Sequence, residues 1–360
     1  MAEADVAAAG SAGSARFARR MTGILNDAAL ALMISVGHRT GLFDVMATLP
    51  AATSEQIASA AGLNERYVRE WLAAMTTGRI VDHDAATGAF ALPAAHAAWL
   101  TRGAGQDNLG IQAQYVALLA LVEDQIVERF KAGGGIPYSA FPRFHAIMAE
   151  ESAAEHDATL LDVTLPLVPG LRDRLELGID VADVGCGSGH AVNLMGARFP
   201  ASRFTGFDLS DTALAAATAQ ADGKALTNVR FTKRDAARLD ETDAFDLITT
   251  FDSVHDQARP DLMLAGIARA LRPDGVFLCV DIRASSTLAD NANHPLGPFL
   301  YTVSCMHCMT VSLADGGMGL GTMWGEQKAR DMLREAGFTS VRTEHVDANV
   351  TAAYHIATKT

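Results

Sequence analysis

The chain has 360 residues, 49% of them apolar, and a formal net charge of −13. That composition supports a full core in two domains, or one large one, and excludes wholesale disorder. The acidic balance, with no run of Lys or Arg, argues against nucleic acid or an anionic membrane as partner. No stretch of 18 apolar residues is present to cross a bilayer. Four cysteines are too few for a disulfide framework. With no signal-peptide pattern at the start, a reduced, cytoplasmic protein is expected.

Residues 1–15 are rich in Ala, Gly and Ser and read as a flexible tail. From Arg16 to Asp44, apolar residues Ile24, Leu25, Ala28, Leu32, Met33 and Val36 recur at helical spacing, predicting one or two helices. Thr53 to Met75 then reads as helix, turn at Gly62 and helix, and a hairpin around the turn 84–88 follows. Residues 53–100 thus resemble a winged helix. Between Ser54 and Leu100, three basic residues (Arg66, Arg69, Arg79) face five acidic ones (Glu55, Glu65, Glu70, Asp82, Asp84). A module that neutralises phosphates should carry the opposite sign, so a cap is expected rather than a DNA reader. Residues 16–100 are assigned to this helical and winged-helix domain, and their apolar helical face predicts a homodimer.

A helix is expected over 106–132, broken by Gly133–Gly135 and Pro137, and a second over 141–165. Together 101–170 form a helical bridge. From Leu171 to 360, strands (180–184, 203–208, 229–233, 245–251, 275–281) alternate with helices, which implies a parallel sheet covered on both faces. The expected fold is therefore α/β, a Rossmann-like sheet with an all-α, winged-helix cap before it.

The first strand ends in Val181-Ala-Asp-Val-Gly-Cys-Gly-Ser-Gly-His190. Glycines at 185, 187 and 189 let the backbone turn tightly and approach a ligand. A dinucleotide fingerprint needs its third glycine at 190, where His190 stands, so an NAD-dependent oxidoreductase is disfavoured. The G-x-G-x-G spacing resembles motif I of the class I methyltransferases, which bind S-adenosylmethionine (SAM). Downstream, acidic residues end successive strands in register with that turn. The resemblance implies a cofactor site of Asp183, Gly185, Gly187, Gly189, Asp208 with Leu209 (ribose), Asp235 with Ala236 (adenine), and Phe251 with Asp252 (methionyl part).

The segment Asp252-Ser-Val-His-Asp256 is similar to the V-x-H-D-W segment of plant-type O-methyltransferases, whose histidine is the catalytic base, and this maps onto His255. The chain departs from that pattern at Gln257. An acceptor hydroxyl needs a group of near-neutral pKa to take its proton. In 291–325 there is one charged residue, Asp315, among methionines, cysteines and aromatics. This stretch, HCMTVSLADGGMGLGTMWG above all, resembles winged-helix-fused methyltransferases known in mycobacteria. Tyr301, Cys305, His307, Met309 and Trp324, with Tyr115 from the bridge, are the expected acceptor wall. Cys305 and Cys308 lack a second pair to complete a zinc set, and Asp252, Asp256 and Asp281 each have a simpler local role. No metal is expected. The reading is SAM-dependent methyl transfer to an oxygen or sulfur nucleophile of a small apolar acceptor. The alternatives are a thiol or sulfide methyltransferase needing no strong base, and a ligand-sensing winged-helix regulator.

Overall fold

The computed structural model describes residues 2–359, with side chains described over 13–359. The chain divides into two compact units, Met1–Ala120 and Leu121–Thr360. The division falls within the segment expected to act as a bridge.

The first unit opens with α1 (Ala2–Thr40), and α2 (Leu42–Thr48) follows across Gly41 in the left-handed region. The tail expected over 1–15 is corrected accordingly, because the helix already runs through it; alanine, its main residue, has the highest helix propensity. Met1 lies outside the described residues. The helix-turn-helix consists of α3 (Ser54–Ala61) and α4 (Glu65–Thr77). Thr53 and Gln56 form a capping box at the start of α3, and Gly62, at φ 65°, closes it. Strands β1 (Asp82–Asp84) and β2 (Ala89–Ala91) pair antiparallel as the wing. Helices α5 (Ala94–Leu100) and α6 (Leu109–Leu119) complete the unit. Its core gathers Phe43, Ile57, Trp71, Leu72 and Met75, and the Trp71 indole N–H donates to the Met33 carbonyl at 2.8 Å. In contrast, Phe17, Met21, Ile24, Leu25, Leu32 and Val36 are exposed on α1, Leu25 by 68%.

The second unit begins with α7 (Glu123–Ala132), α8 (Phe144–Thr159) and α9 (Leu171–Leu177). A break at 120–122 divides the single helix expected over 106–132. Then come β3 (Asp180–Val184), α10 (His190–Arg198), β4 (Arg203–Asp208), α11 (Asp211–Gly223), β5 (Val229–Lys233) and β6 (Phe245–Phe251). They are followed by α12 (Pro260–Ala270), β7 (Leu271–Ile282), α13 (Gly297–Val303), α14 (Met309–Ala314), α15 (Glu326–Glu335), β8 (Ser340–Val346) and β9 (Asn349–Thr358).

The sheet order is β5-β4-β3-β6-β7-β9-β8. The five strands anticipated from sequence are parallel; β9 and β8 add an antiparallel edge that was not anticipated. One face packs on α12 and α15 through Met263, Leu264, Ile267 and Leu333. The other packs on α9 and α10 through Leu171, Leu175, Val192 and Met195. Each such side chain contributes about 1.5–3 kcal/mol by leaving water. The chain order reverses between β3 and β6, and the crevice at their carboxyl ends is where an open sheet of this kind takes a ligand.

Candidate active site

The glycine turn leaves β3 at that crevice. Gly185, Gly187 and Gly189 have φ of 78°, 52° and 70°. The Gly185 and Cys186 N–H groups both donate to the Phe207 carbonyl, at 2.8 and 3.0 Å, which fastens the turn to β4. A Cβ at Gly185 would stand 2.6 Å from Ser253 Cβ, and one at Gly189 2.5 Å from the Phe231 ring. At Gly187 it would meet nothing within 4 Å, so this glycine borders open space. That arrangement fits a cofactor laid against bare backbone.

The residues expected to hold the donor are placed around the turn as follows. The Asp208 carboxylate accepts from Gly187 N–H at 2.9 Å and Ser210 N–H at 2.8 Å, and the adjoining Leu209 is exposed. Asp183 is buried and accepts from the Thr249 hydroxyl at 2.8 Å. Burial pushes its carboxyl up to about 7, with the Thr249 bond opposing. Asp235 caps a short turn through Ala237 N–H at 2.9 Å, and Ala236 lies in the core. Phe251 meets the His156 ring, centroids 4.5 Å apart. Asp252 has φ 49°, uncommon for a residue with a side chain, and its N–H donates to the Val280 carbonyl at 3.0 Å. Burial, then the Asp281 and Glu155 charges, hold its carboxyl well above the usual range.

The Ser253 hydroxyl donates to the Val184 carbonyl at 2.9 Å, which ties the loop after β6 to the glycine turn. Two residues on, His255 is buried with a carboxylate at each ring nitrogen: Asp281 Oδ1 at 2.7 Å from Nδ1, Asp256 Oδ1 at 3.3 Å from Nε2. Burial alone would depress its pKa, but Asp281 and then Asp256 outweigh it and hold the ring well above its usual value. Asp281 Oδ1 also accepts from the Trp324 indole N–H at 3.1 Å and from Ile282 N–H at 2.8 Å. Tyr138 donates its hydroxyl to Asp256 Oδ2 at 3.3 Å.

The expected acceptor wall separates into different roles. Trp324 is buried and serves Asp281 rather than lining an open wall. His307 is fully buried, its ring stacked on Phe144 at 3.5 Å, and neither nitrogen has a hydrogen-bond partner. Burial pushes its pKa down to about 4. Cys305 and Met309 line a cavity of about 260 Å³ with Ile126 and Phe130. Tyr301 is half exposed, and its hydroxyl accepts from the Asn291 amide at 3.0 Å. Tyr115 is buried within the first unit.

His255, Asp256 and Cys308 each offer a ligand atom within 4.8 Å of the others, a set the sequence did not bring together. In this structure the His255 ring nitrogen pairs with Asp256, and Cys308 Sγ accepts from the Thr322 hydroxyl at 3.0 Å. Sequence reasoning treated Asp281 as a local residue and passed over Tyr138 and the acidic face of α8. The position of Asp281 at the end of β7 was the available signal.

Residues 28–102 match a family described as "Rv2258c-like winged HTH domain", and residues 175–341 one described as "Methyltransferase domain". Among curated proteins, the fatty-acid O-methyltransferase of Mycolicibacterium smegmatis is 32% identical over 107 residues, 29% of this chain and 38% of that protein. A trans-aconitate 2-methyltransferase of Acidovorax sp. strain JS42 is 36% identical over 97 residues, 27% of this chain and 36% of that protein. The alignments therefore span under two-fifths of either relative. Human N-acetylserotonin methyltransferase, solved with SAM, superposes with a TM-score of 0.69 at 15% identity, covering 95% of this chain and 97% of that one. The mitomycin 7-O-methyltransferase MmcR gives a TM-score of 0.70 at 18% identity, covering 97% and 99%. At these identities the likeness is one of fold.

Proposed function

The chain belongs to the methyltransferases that carry an N-terminal winged helix-turn-helix domain, and we propose that it methylates an oxygen or sulfur nucleophile of a small, largely apolar acceptor. SAM, when bound, supplies a methyl group on a cationic sulfur. One observation carries the reading: the Ser253–Val184 bond holds a buried His255–Asp281 pair beside an open glycine turn. Asp208 would take the ribose hydroxyls, Asp235 and Ala236 the adenine, and Phe251 and Asp252 the methionyl part. Gly185, Gly187 and Gly189 leave room for the donor, and Asp183 braces the turn through Thr249.

Asp281 fixes the His255 ring and leaves Nε2 as the atom that would take the acceptor's proton as its oxygen bonds to the methyl carbon. Asp256 must give up Nε2 for that to happen. His307, Cys305, Met309 and Tyr301 would line the acceptor's side.

The clamp of two carboxylates on His255 favours a second reading. A ring that keeps its proton is a poor base. A thiol of the cysteine kind ionises near pH 8.5 unaided and needs less help than a hydroxyl. Competition of phenols and alcohols against alkyl thiols and sulfide, with S-adenosylhomocysteine (SAH) release measured and products identified by mass, separates the two. Efficient methylation of a nucleotide or protein side chain, with none of these accepted, would reject both.

The exposed apolar residues of α1 support a homodimer formed through the first unit. Light scattering at micromolar concentration should give twice the chain mass, and a monomer would refute it. Free thiols at all four cysteines are in keeping with a cytoplasmic setting.

A further inference from the structure

The two cysteines of the Cys305–Cys308 pair part company in the fold. Cys305 lines the cavity beside α7, whereas Cys308, the last residue of the helical turn Ser304–Cys308 between α13 and α14, is buried. There its Sγ, a His255 ring nitrogen and an Asp256 carboxylate oxygen lie within 4.8 Å of one another. A four-coordinate zinc ion, bound at about 2.0–2.3 Å, holds its ligands about 3.3–3.8 Å apart, so closing on one asks for about 1 Å of movement at most. The His255–Asp256 edge is already at 3.3 Å.

Each of the three has a group behind it that fixes its direction, as metal ligands do. Asp281 Oδ1 lies 2.7 Å from His255 Nδ1, which leaves Nε2 facing Asp256. The Trp324 indole N–H and the Ile282 N–H hold that same Asp281 oxygen in place. The Thr322 hydroxyl donates to Cys308 Sγ at 3.0 Å, and the Tyr138 hydroxyl to Asp256 Oδ2 at 3.3 Å. The other oxygen of Asp256, Oδ1, faces Nε2 and is buried without a hydrogen-bond partner. A carboxylate oxygen orphaned beside an imidazole nitrogen and a thiol is unfavourable until an ion satisfies all three.

We propose that His255 Nε2, Asp256 Oδ1 and Cys308 Sγ bind one Zn²⁺, with the fourth position left for a small molecule. Thiolate, imidazole and carboxylate together suit zinc, whereas Mg²⁺ and Ca²⁺ seek oxygen ligands. Asp256 is the one partly exposed ligand and gives the ion its way in. Binding displaces the protons of Nε2 and Cys308 to solvent. The consequence for the acceptor rests on the methyl-transfer reading above. A nitrogen engaged by zinc takes no proton from a hydroxyl, so the loaded chain is directed to a thiol or sulfide. That acceptor gives its proton to solvent on taking the fourth position. Its sulfur electron pair then forms the bond to the methyl carbon as the methyl–sulfonium bond breaks, leaving its pair on the SAH sulfur.

Zinc binding is measured without SAM, so its failure is separate from any failure of the methyl-transfer reading. The full chain, stripped with a chelator, is titrated with Zn²⁺ against a chromogenic zinc indicator. One ion per chain is expected, at micromolar affinity or tighter. Cys308→Ala and Asp256→Asn should each weaken it about tenfold or more, and Asp281→Asn, behind His255, about tenfold. Co²⁺ in place of zinc should give the parent a sulfur-to-metal charge-transfer band that Cys308→Ser abolishes and Cys305→Ser keeps. No ion bound at micromolar Zn²⁺, no such band in the cobalt-loaded parent, or parent-like affinity in both Cys308→Ala and Asp256→Asn overturns the site. In turnover, zinc loading should raise the rate with an alkyl thiol relative to a phenol. A ratio that falls or stays the same overturns the consequence for the acceptor and leaves zinc as a structural ion.

Discussion

On the β3–β5 side of the crevice, the acidic stations Asp208 and Asp235 are met by backbone N–H groups of the adjoining turns. On the β6–β7 side the polar groups are met by side chains from distant parts of the chain. Asp281 lies 26 residues from His255 and 43 from Trp324, and Tyr138 lies 118 from Asp256. The first kind of site uses backbone donors, two residues on at Ser210 and Ala237 and, for Asp208, also at Gly187 in the turn after the neighbouring strand. The second exists only once the sheet has assembled, and it keeps buried atoms unsatisfied, as at His307 and Asp281 Oδ2. On the proposed reading, the first side would fit a ligand's shape, and the second would hold charge in an unfavourable state until a ligand arrives.

The largest effect should come from breaking the β6–β7 side. His255→Ala is expected to lower turnover of a hydroxyl acceptor by about two to four orders of magnitude while leaving SAM affinity unchanged. Asp281→Asn should lower it in the same way, and the double variant should be no worse than His255→Ala, because the two act as a unit. Steady-state rates with calorimetry on the same samples check this. Independent, additive losses would mean that the pair is structural.

The pH dependence of stability sharpens the contrast further. Asp183 sits at about 7 in the folded protein against an ordinary value of 3.8. A carboxyl raised on folding holds its proton more tightly in the native state. Its favourable contribution is therefore full below about pH 4, falls as pH rises, and levels off above about 7. Asp183→Asn should gain stability relative to the parent across that window, on the order of 2–4 kcal/mol. Denaturation midpoints at pH 5 and pH 7.5 measure it. A difference between variant and parent that does not change with pH would show that Asp183 is ionised throughout.

The β3–β5 side could be read from sequence because its signals are local. Alternating glycines, an acid at each strand end and turn residues between them all lie within a few positions of one another. All five strands of the parallel run follow from apolar blocks of the same kind, and the winged helix from Thr53, Gly62 and the turn at 84–88. Alanine, glycine and serine together suit a loop as well as a helix, and in residues 2–15 the alanines carry the chain as part of α1. Asp281 was missed for the opposite reason, since nothing near it in sequence shows that a histidine 26 residues away will face it. Trp324 was read as a wall residue because its role depends on Asp281 in turn.

On the cofactor side, Asp208→Ala removes a charged acceptor that two ribose hydroxyls would share. SAM should bind about 2–3 kcal/mol more weakly, with the acceptor's apparent affinity unaffected. Titration calorimetry reads the loss directly. Parent-like affinity would remove Asp208 from the cofactor site and leave it as a brace for Gly187 and Ser210.

The smallest effect is expected at His307, and its sign is what matters. The ring is enclosed by Phe144, Phe141 and Tyr138, with both nitrogens buried and unpartnered in the free protein. An unsatisfied buried polar group costs about 1–3 kcal/mol, and an apolar ring of similar shape does not incur that cost. His307→Phe should therefore leave the free protein equally stable or more stable by about 1 kcal/mol, allowing for the slightly larger ring. If the nitrogens meet the acceptor, the same change should raise the acceptor's KM with little change in kcat, since it removes binding rather than chemistry. Loss of stability would mean that His307 has a partner in the folded protein after all. Unchanged kinetics would leave His307 as packing and take it out of the acceptor site.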